Sequence, residues 1–254
     1  MSGRTLAAAL GIERGGGVGG GVVCAVGAGG KKTALYRLAR ELPGRIALTA
    51  TVHTPPFARH ADAVWVERDP LAALGGRAAE ARVLGIARPS EKRNRWAGLT
   101  PDMVNRLAAG GLFDTVLVKA DGARFKWIKA PAPNEPVIPS SAKLVLVLVS
   151  AKAIGRPLDD EVAHHPEAIA RLTGARLGEP IRAEQIAALL AHPEGGLKGV
   201  GDARVVPILN AVDDEATRER ALPAARAALA SDRFDRVLLT ALTAEEAIVD
   251  VVRR

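Results

Sequence analysis

An α/β fold, with a mostly parallel sheet flanked by helices, is predicted by three observations. Short apolar runs alternate with helix-patterned segments along the chain, the signature of repeated strand–helix–strand units. Around residues 21–42 an apolar run, a glycine turn and an amphipathic helix follow one another directly. With 254 residues, 48% of them hydrophobic, the chain is long enough to bury both faces of a sheet.

Strands are expected at 21–26 (GVVCAV), 46–52, 63–66, 115–120, 143–149, 204–209 and 236–240, each a short apolar run. Helices are expected at 31–42, 101–109, 160–173, 182–191, 214–230 and 243–252. The first of these places Leu35, Leu38, Ala39 and Leu42 on one face and stops before Pro43-Gly44. Residues 121–141 carry Pro131, Pro133, Pro136 and Pro139, which disfavour regular structure. A long irregular segment inside a compact domain is uncommon and is often functional. Residues 1–20 end in RGGGVGGG and read as a flexible glycine-rich N-terminus, with 21–254 as a single domain.

Composition narrows the function classes. Cys24, the single cysteine, lies inside an apolar run and can form no internal disulfide, so a structural thiol and a cytoplasmic protein are expected. No stretch approaches the roughly 20 apolar residues of a membrane span, and no leader pattern opens the chain, so no membrane partner is expected. The net charge of +7 sits in the first half: residues 1–127 hold 19 Lys+Arg against 10 Asp+Glu. Such a field suits phosphate-bearing ligands. Nucleic acid is not expected, because the chain has few aromatic residues to stack on bases. The basic run 87–95 (ARPSEKRNR) reads as solvated surface or as a loop closing over phosphates.

The segment VGAGGKKTAL, residues 26–35, carries the sharpest chemistry. Closely spaced glycines let main-chain N–H groups converge on phosphate oxygens, the following helix adds its positive end, and a lysine reaches the terminal phosphates. Gly27, Gly29, Gly30 and Lys31 satisfy that requirement. The strict GxxxxGK[ST] pattern is not met, because Lys32 holds the position of the magnesium-binding hydroxyl and Thr33 follows one residue late. The register with Lys31 as phosphate lysine keeps glycine beside it; the other, with Lys32, puts Thr33 in place for a metal.

A second apolar run, TVLVKADGA, ends at Asp121, where a phosphate-loop protein places the acid that holds magnesium. Period-two alternation puts Leu117, Lys119 and Asp121 on one face, so Lys119 is expected to pair with that acid. Asp121 and Lys31 are thus the candidate catalytic pair, with Asp121 and Thr33 as metal ligands and Lys32 beside the phosphates. Asn210 and Asp213 follow a strand at the spacing of a guanine-reading Asn-Lys-x-Asp motif, with Ala211 in place of its lysine. A guanine contact and a structural turn remain equally open there. His164 and His165 near Asp159–Glu161 match no strong metal pattern, and one packed with one solvated is expected. His192, Glu194 and Lys198 surround a Gly-Gly turn that helix termination explains.

Taken in order, AVGAGGKKTALYRLAREL, VLVKADGAR, KAPAPNEPVIPSS, GRPLDDEVAHHPEAIARLTG, HPEGGLKG and VVPILNAVDD resemble the YqeC family across roughly residues 20–240. The resemblance implies a P-loop NTPase-like fold and an accessory role in maturing selenium-dependent molybdenum hydroxylases, that is, selenium cofactor biosynthesis. It puts the phosphate loop on Gly27, Gly29, Gly30 and Lys31 and the strand-end acid on Asp121. It also brings in Lys129, Glu135 and Pro136 from the proline-rich block, and His164, His165, Pro166 and Glu167. The cofactor expected is a nucleoside triphosphate, ATP or GTP, with magnesium in question because Lys32 and Lys119 stand where a metal ligand and an acid are usual. The partner expected is the hydroxylase or its cofactor-maturation machinery. A small-molecule phosphotransferase and a non-hydrolysing nucleotide-binding scaffold are the alternative functions.

Overall fold

The computed structural model describes residues 5–12, 21–72, 74 and 80–254. Among them, eleven strands and six α-helices follow in chain order. The strands are β1 (Val22–Gly27), β2 (Ile46–Ala50), β3 (Ala63–Val66), β4 (Val83–Ala87), β5 (Thr115–Lys119), β6 (Ile128–Lys129), β7 (Ala142–Ser150), β8 (Ala163–His164), β9 (Arg204–Asn210), β10 (Arg236–Thr240) and β11 (Ile248–Arg253). The helices are α1 (Leu6–Ala9), α2 (Lys31–Glu41), α3 (Pro101–Ala109), α4 (Pro166–Thr173), α5 (Ala183–Ala191) and α6 (Glu215–Ala228).

Nine strands form one sheet in the order β11-β10-β9-β7-β1-β5-β2-β4-β3. Every pairing in it is parallel except β10 with β11. The α/β expectation holds, and the architecture is consistent with a P-loop NTPase-like class. Alternate residues of each central strand feed two cores. Val22, Cys24 and Val26 join Val116, Val118, Val145 and Val147 under α3, α4, α5 and α6. Val23 and Ala25 join Leu117, Leu144, Leu146 and Leu148 under α1 and α2. Cys24 is fully buried, and desolvation pushes its thiol pKa far up, as a structural thiol requires.

Three expectations need correction. Residues 243–252 form no helix: Ile248–Arg253 is the antiparallel edge strand β11, and its Ile-Val-Asp-Val-Val run favours the pleated backbone. Part of the N-terminus read as flexible is packed. Thr5 caps α1, Leu6 and Leu10 are fully buried, and Arg204 and Arg236 donate to Leu10 O (2.6 Å) and Ala9 O (2.9 Å). Residues 13–20, the rest of the glycine tract, lie outside the described residues. The helix expected from 160 begins at Pro166, because the Asp159 carboxylate accepts the N–H groups of Glu161 and Val162 (3.0 Å each) and so holds a turn.

Candidate functional site: a glycine turn over a buried charge cluster

The carboxyl ends of β1, β5, β7 and β9 lie side by side, and open parallel sheets bind ligands at that edge. The parallel register Ala25↔Lys119 sets the end of β1 beside the residues that follow β5. There the Gly27 N–H donates to Asp121 Oδ2 at 2.8 Å, so the loop and the acid meet as expected. Gly27, Gly29 and Gly30 have φ of 89°, 77° and 137°, a left-handed path that other residues adopt only with strain. The turn is also pressed against neighbouring strands. A Cβ at Gly27 would stand 2.2 Å from Leu148 O, one at Gly29 2.5 Å from Ser150 N, and one at Gly30 2.4 Å from Asn210 Nδ2. Gly30 is the N-cap of α2 and has no side chain to cover the first-turn amides.

Beneath the turn lies a buried charge cluster. Lys31 is 6% exposed and Asp121 1%; Lys31 Nζ sits 2.7 Å from Asp121 Oδ1 and donates to Gly27 O. Burial lowers the Lys31 pKa below the ordinary lysine value despite the attraction of Asp121. Lys129, whose side chain is wholly buried, approaches Asp121 Oδ2 (3.1 Å) and Glu135 Oε2 (2.6 Å) and donates to Gly122 O (2.6 Å). Glu135 Oε1 accepts the Gly122 N–H at 2.9 Å. Burial pushes the Glu135 pKa up, but the Lys129 bond and the Gly122 amide together hold it below the usual value. Two ammonium groups therefore balance two carboxylates, which is what a buried cluster needs.

The remaining candidates divide. Lys119 does not pair with the Asp121 carboxylate. Both carboxylate oxygens are already engaged, and Lys119 Nζ donates instead to the Asp121 main-chain O at 2.6 Å. Burial, then the charge of Lys31, brings the Lys119 pKa down to about 8. Lys32 and Thr33 line an open cleft next to the turn, and Lys32 Nζ lies 5.7 Å from the Phe125 ring centre. Asn210 braces the turn: Nδ2 donates to Gly29 O (2.8 Å), while Oδ1 accepts from Thr240 Oγ1 and Leu242 N (3.1 Å each). Asp213 points elsewhere, pairing with Lys152 at 2.6 Å. His192 accepts the Glu194 N–H at 3.0 Å, and Lys198 tethers the proline-rich block through Ala132 O (2.8 Å).

Residues 150–200 contribute nothing to the lining of the open cleft. Leu189, Leu190, Gly195 and Gly196 close instead around Asp121 and Lys129 from the other side. Asn210 as a brace was missed in the sequence, because its contact with Gly29 spans 181 positions and leaves no local pattern.

His164 pairs with Lys129 across the short β6–β8 ladder, is half-buried, and has an Nδ1 with no hydrogen-bond partner. Burial, then His165, lowers its pKa to about 4, whereas an unfolded histidine titrates near 6.5. Between those values the unfolded chain binds more protons, so stability falls as pH is lowered from about 6.5 toward 4. Urea unfolding at pH 7.5 and pH 5 is expected to show a smaller loss for His164→Gln than for wild type. An equal loss in both would remove His164 from the cause.

The donor set does not fit a magnesium ion. Asp121 Oδ1 faces the Lys31 ammonium and Oδ2 faces both the Gly27 N–H and Lys129, while Lys32 replaces the usual hydroxyl. Among the described residues no group of three or more His, Cys, Asp or Glu is placed to hold a metal ion. No helix among them is long and apolar enough to cross a membrane.

Comparison with known proteins finds a match to the family described as YqeC protein over residues 23–167, which spans the glycine turn, Asp121, Lys129 and His164. The chain is 31% identical over 184 residues to "Uncharacterized protein YqeC" of Escherichia coli (strain K12), covering 70% of this chain and 71% of that one. No solved structure matches. A glycine turn with Lys31, a strand-end Asp121 and the proline-rich block around Lys129 all fall inside the matched region, and the chain belongs to the YqeC family.

Proposed function

We propose that the chain is a nucleoside triphosphate-binding protein that grips phosphates with the 27–33 turn and Lys31, with little dependence on magnesium. The observation that carries this reading is the left-handed glycine turn capping α2 directly above the Lys31–Asp121 pair. Entering phosphates would draw the Lys31 ammonium up from Gly27 O and Asp121, and Lys129, shared with Glu135, would remain beside the acid. The test is calorimetric titration with ATP, GTP and CTP, with magnesium and with a chelator. One of them is expected to bind in both conditions, and Lys31→Met to weaken it by about tenfold to a hundredfold, the scale of a lost charged hydrogen bond. Absence of binding by all three, or binding only with magnesium, would refute the reading.

The biological role proposed is maturation of selenium-dependent molybdenum hydroxylases, supported by what the likeness of this chain's motifs to the YqeC family implies. Hydroxylase activity and selenium content in cells lacking the protein test it; unchanged values would count against it. A scaffold that binds without turnover is favoured over a phosphotransferase because Asp121, only 1% exposed and set between Lys31 and Lys129, is placed as a buried ion-pair partner rather than as an accessible base.

A further inference from the structure

The 29–33 turn separates two concavities. One, a groove of about 620 Å³, runs between the first turns of α2 and residues 242–245, where the Tyr36 and His60 rings stack 3.7 Å apart. The other is a cleft of about 430 Å³ for which Gly29, Gly30 and Lys31 of the turn form one wall, while Lys32, His53, Arg95, Lys119, Arg124 and Lys126 supply the rest of its charge and no carboxylate lines it. The two share Lys32 and Thr33, so a molecule in the cleft would meet the far end of one lying along the groove.

The charge in the cleft is uncompensated. Some arginines elsewhere pair with acids, as in Arg37–Glu41 (2.8 Å) and Arg218–Asp250 (2.8 Å); what sets the cleft apart is that several unpaired cations face one cavity. Lys32, Arg95 and Arg124 have no carboxylate within ion-pair distance among the described residues. Like charges gathered around one cavity repel, and an anion recovers that energy. Burial has already brought Lys119 close to losing its proton, and a bound anion would restore its charge.

The cleft also presents an aromatic face at a conformational cost. Arg124 and Phe125 have φ of 45° and 63°, two consecutive left-handed residues that are not glycine. The turn is closed by Lys126 N donating to Ala123 O (2.8 Å) and anchored by the Lys126 ammonium on Asp160 O. Its result is a Phe125 side chain 82% exposed at the cleft wall, with Lys32 near its ring. Folding gains nothing from that exposure, whereas a planar ligand would cover it.

We propose that this cleft is a second ligand site, which takes a phosphorylated small molecule with a planar ring while a nucleotide occupies the turn. The phosphate lies among Arg95, Arg124 and Lys119, and the ring lies against Phe125. The simultaneous occupancy rests on the nucleotide reading above; the anion site itself does not.

Phenyl phosphate is the probe, titrated into the full chain alone and after saturation with a non-hydrolysable ATP analogue. One equivalent is expected to bind in both cases. Arg95→Ala and Arg124→Ala should each weaken it by about tenfold, with nucleotide affinity unchanged. Phe125→Ala should weaken phenyl phosphate but not inorganic phosphate, and phenol should not bind. Arg176→Ala, which removes an exposed charge that does not line the cleft, is the control and should change nothing. Competitive displacement by the nucleotide, no binding of the probe, or equal weakening by Arg176→Ala would overturn the proposal. Should no nucleotide bind while phenyl phosphate still binds through Arg95 and Arg124, the nucleotide reading falls and the anion site stands.

Discussion

Lys129→Met is expected to cost about 3–5 kcal/mol of folding stability, the scale on which removing one partner strands a buried charge. The substitution keeps the volume of the side chain and removes only its ammonium. That ammonium is fully enclosed and touches Asp121 Oδ2 at 3.1 Å, Glu135 Oε2 at 2.6 Å and Gly122 O at 2.6 Å. Without it Asp121 keeps Lys31 and the Gly27 N–H, while Glu135 keeps the Gly122 N–H and is partly open to water. The loss therefore falls chiefly on Asp121, which has no exposure to fall back on. Urea unfolding is the measurement, and at about 2–4 °C per kcal/mol a fall of about 10 °C in melting temperature should accompany it. Lys129→Met combined with Asp121→Asn should recover part of the loss, since the stranded charge goes with its partner. A cost under about 1 kcal/mol would show that the cluster does not need this cation.

The same geometry bears on nucleotide binding. Lys31 serves two masters: in the closed cluster it neutralises Asp121, and in the proposed complex it neutralises phosphate. A single lysine doing both would leave Asp121 charged and dry whenever phosphate bound. Lys129 eases that conflict in part, because its 3.1 Å contact with Asp121 Oδ2 does not involve Lys31, although the same ammonium also serves Glu135 at 2.6 Å. Lys32 and Lys119 stand where a metal ligand and an acid are usual. The cation closest to the Asp121 carboxylate besides Lys31 is neither of them but Lys129, from the irregular block.

What was legible in the residues follows from range. The strands at 63–66 and 236–240 and the helix at 101–109 were read with the bounds observed, because continuous apolar runs and the cap-and-proline signal at Thr100-Pro101 are local. The meeting of Gly27 with Asp121 was legible too, since two parallel neighbouring strands end at those residues. β4 went unread because Gly85 interrupts its apolar run, and the reason for that glycine, a Phe57 ring 2.8 Å from where its Cβ would be, is distant in sequence. β11 was read as helix because Ala-Glu-Glu-Ala before it carries helix propensity; pairing with β10 overrides it. Lys129 sits in coil-like sequence with no periodicity, and only the family resemblance pointed to it. Its place in the cluster depends on how the proline-rich block folds back, including Val137 N donating to Ala120 O at 2.9 Å.

Gly27→Ala is expected to be the most damaging single-methyl change in the turn, at about 4 kcal/mol or more. Two costs combine there. The residue has φ of 89°, where a Cβ is strained by about 1–2 kcal/mol. The added carbon would also stand 2.2 Å from Leu148 O, a main-chain atom held in the centre of the sheet by β1 and β9. Relief by moving Gly27 is blocked, because its N–H is fixed on Asp121 and its O receives the Lys31 ammonium. Relief by moving Leu148 is blocked as well, since its O already accepts the Ala28 N–H at 2.8 Å. Gly155→Ala separates the two costs: Gly155 has φ of 83° with nothing within 4 Å of its Cβ position, so only the backbone strain of about 1–2 kcal/mol should appear. Unfolding midpoints of the two variants give the difference directly. Equal midpoints would mean that the turn can lift off Leu148, and with it that the glycine is there for φ alone; a much larger fall for Gly27→Ala would mean that close packing on β7 is what holds Asp121 and Lys31 in register beneath the loop.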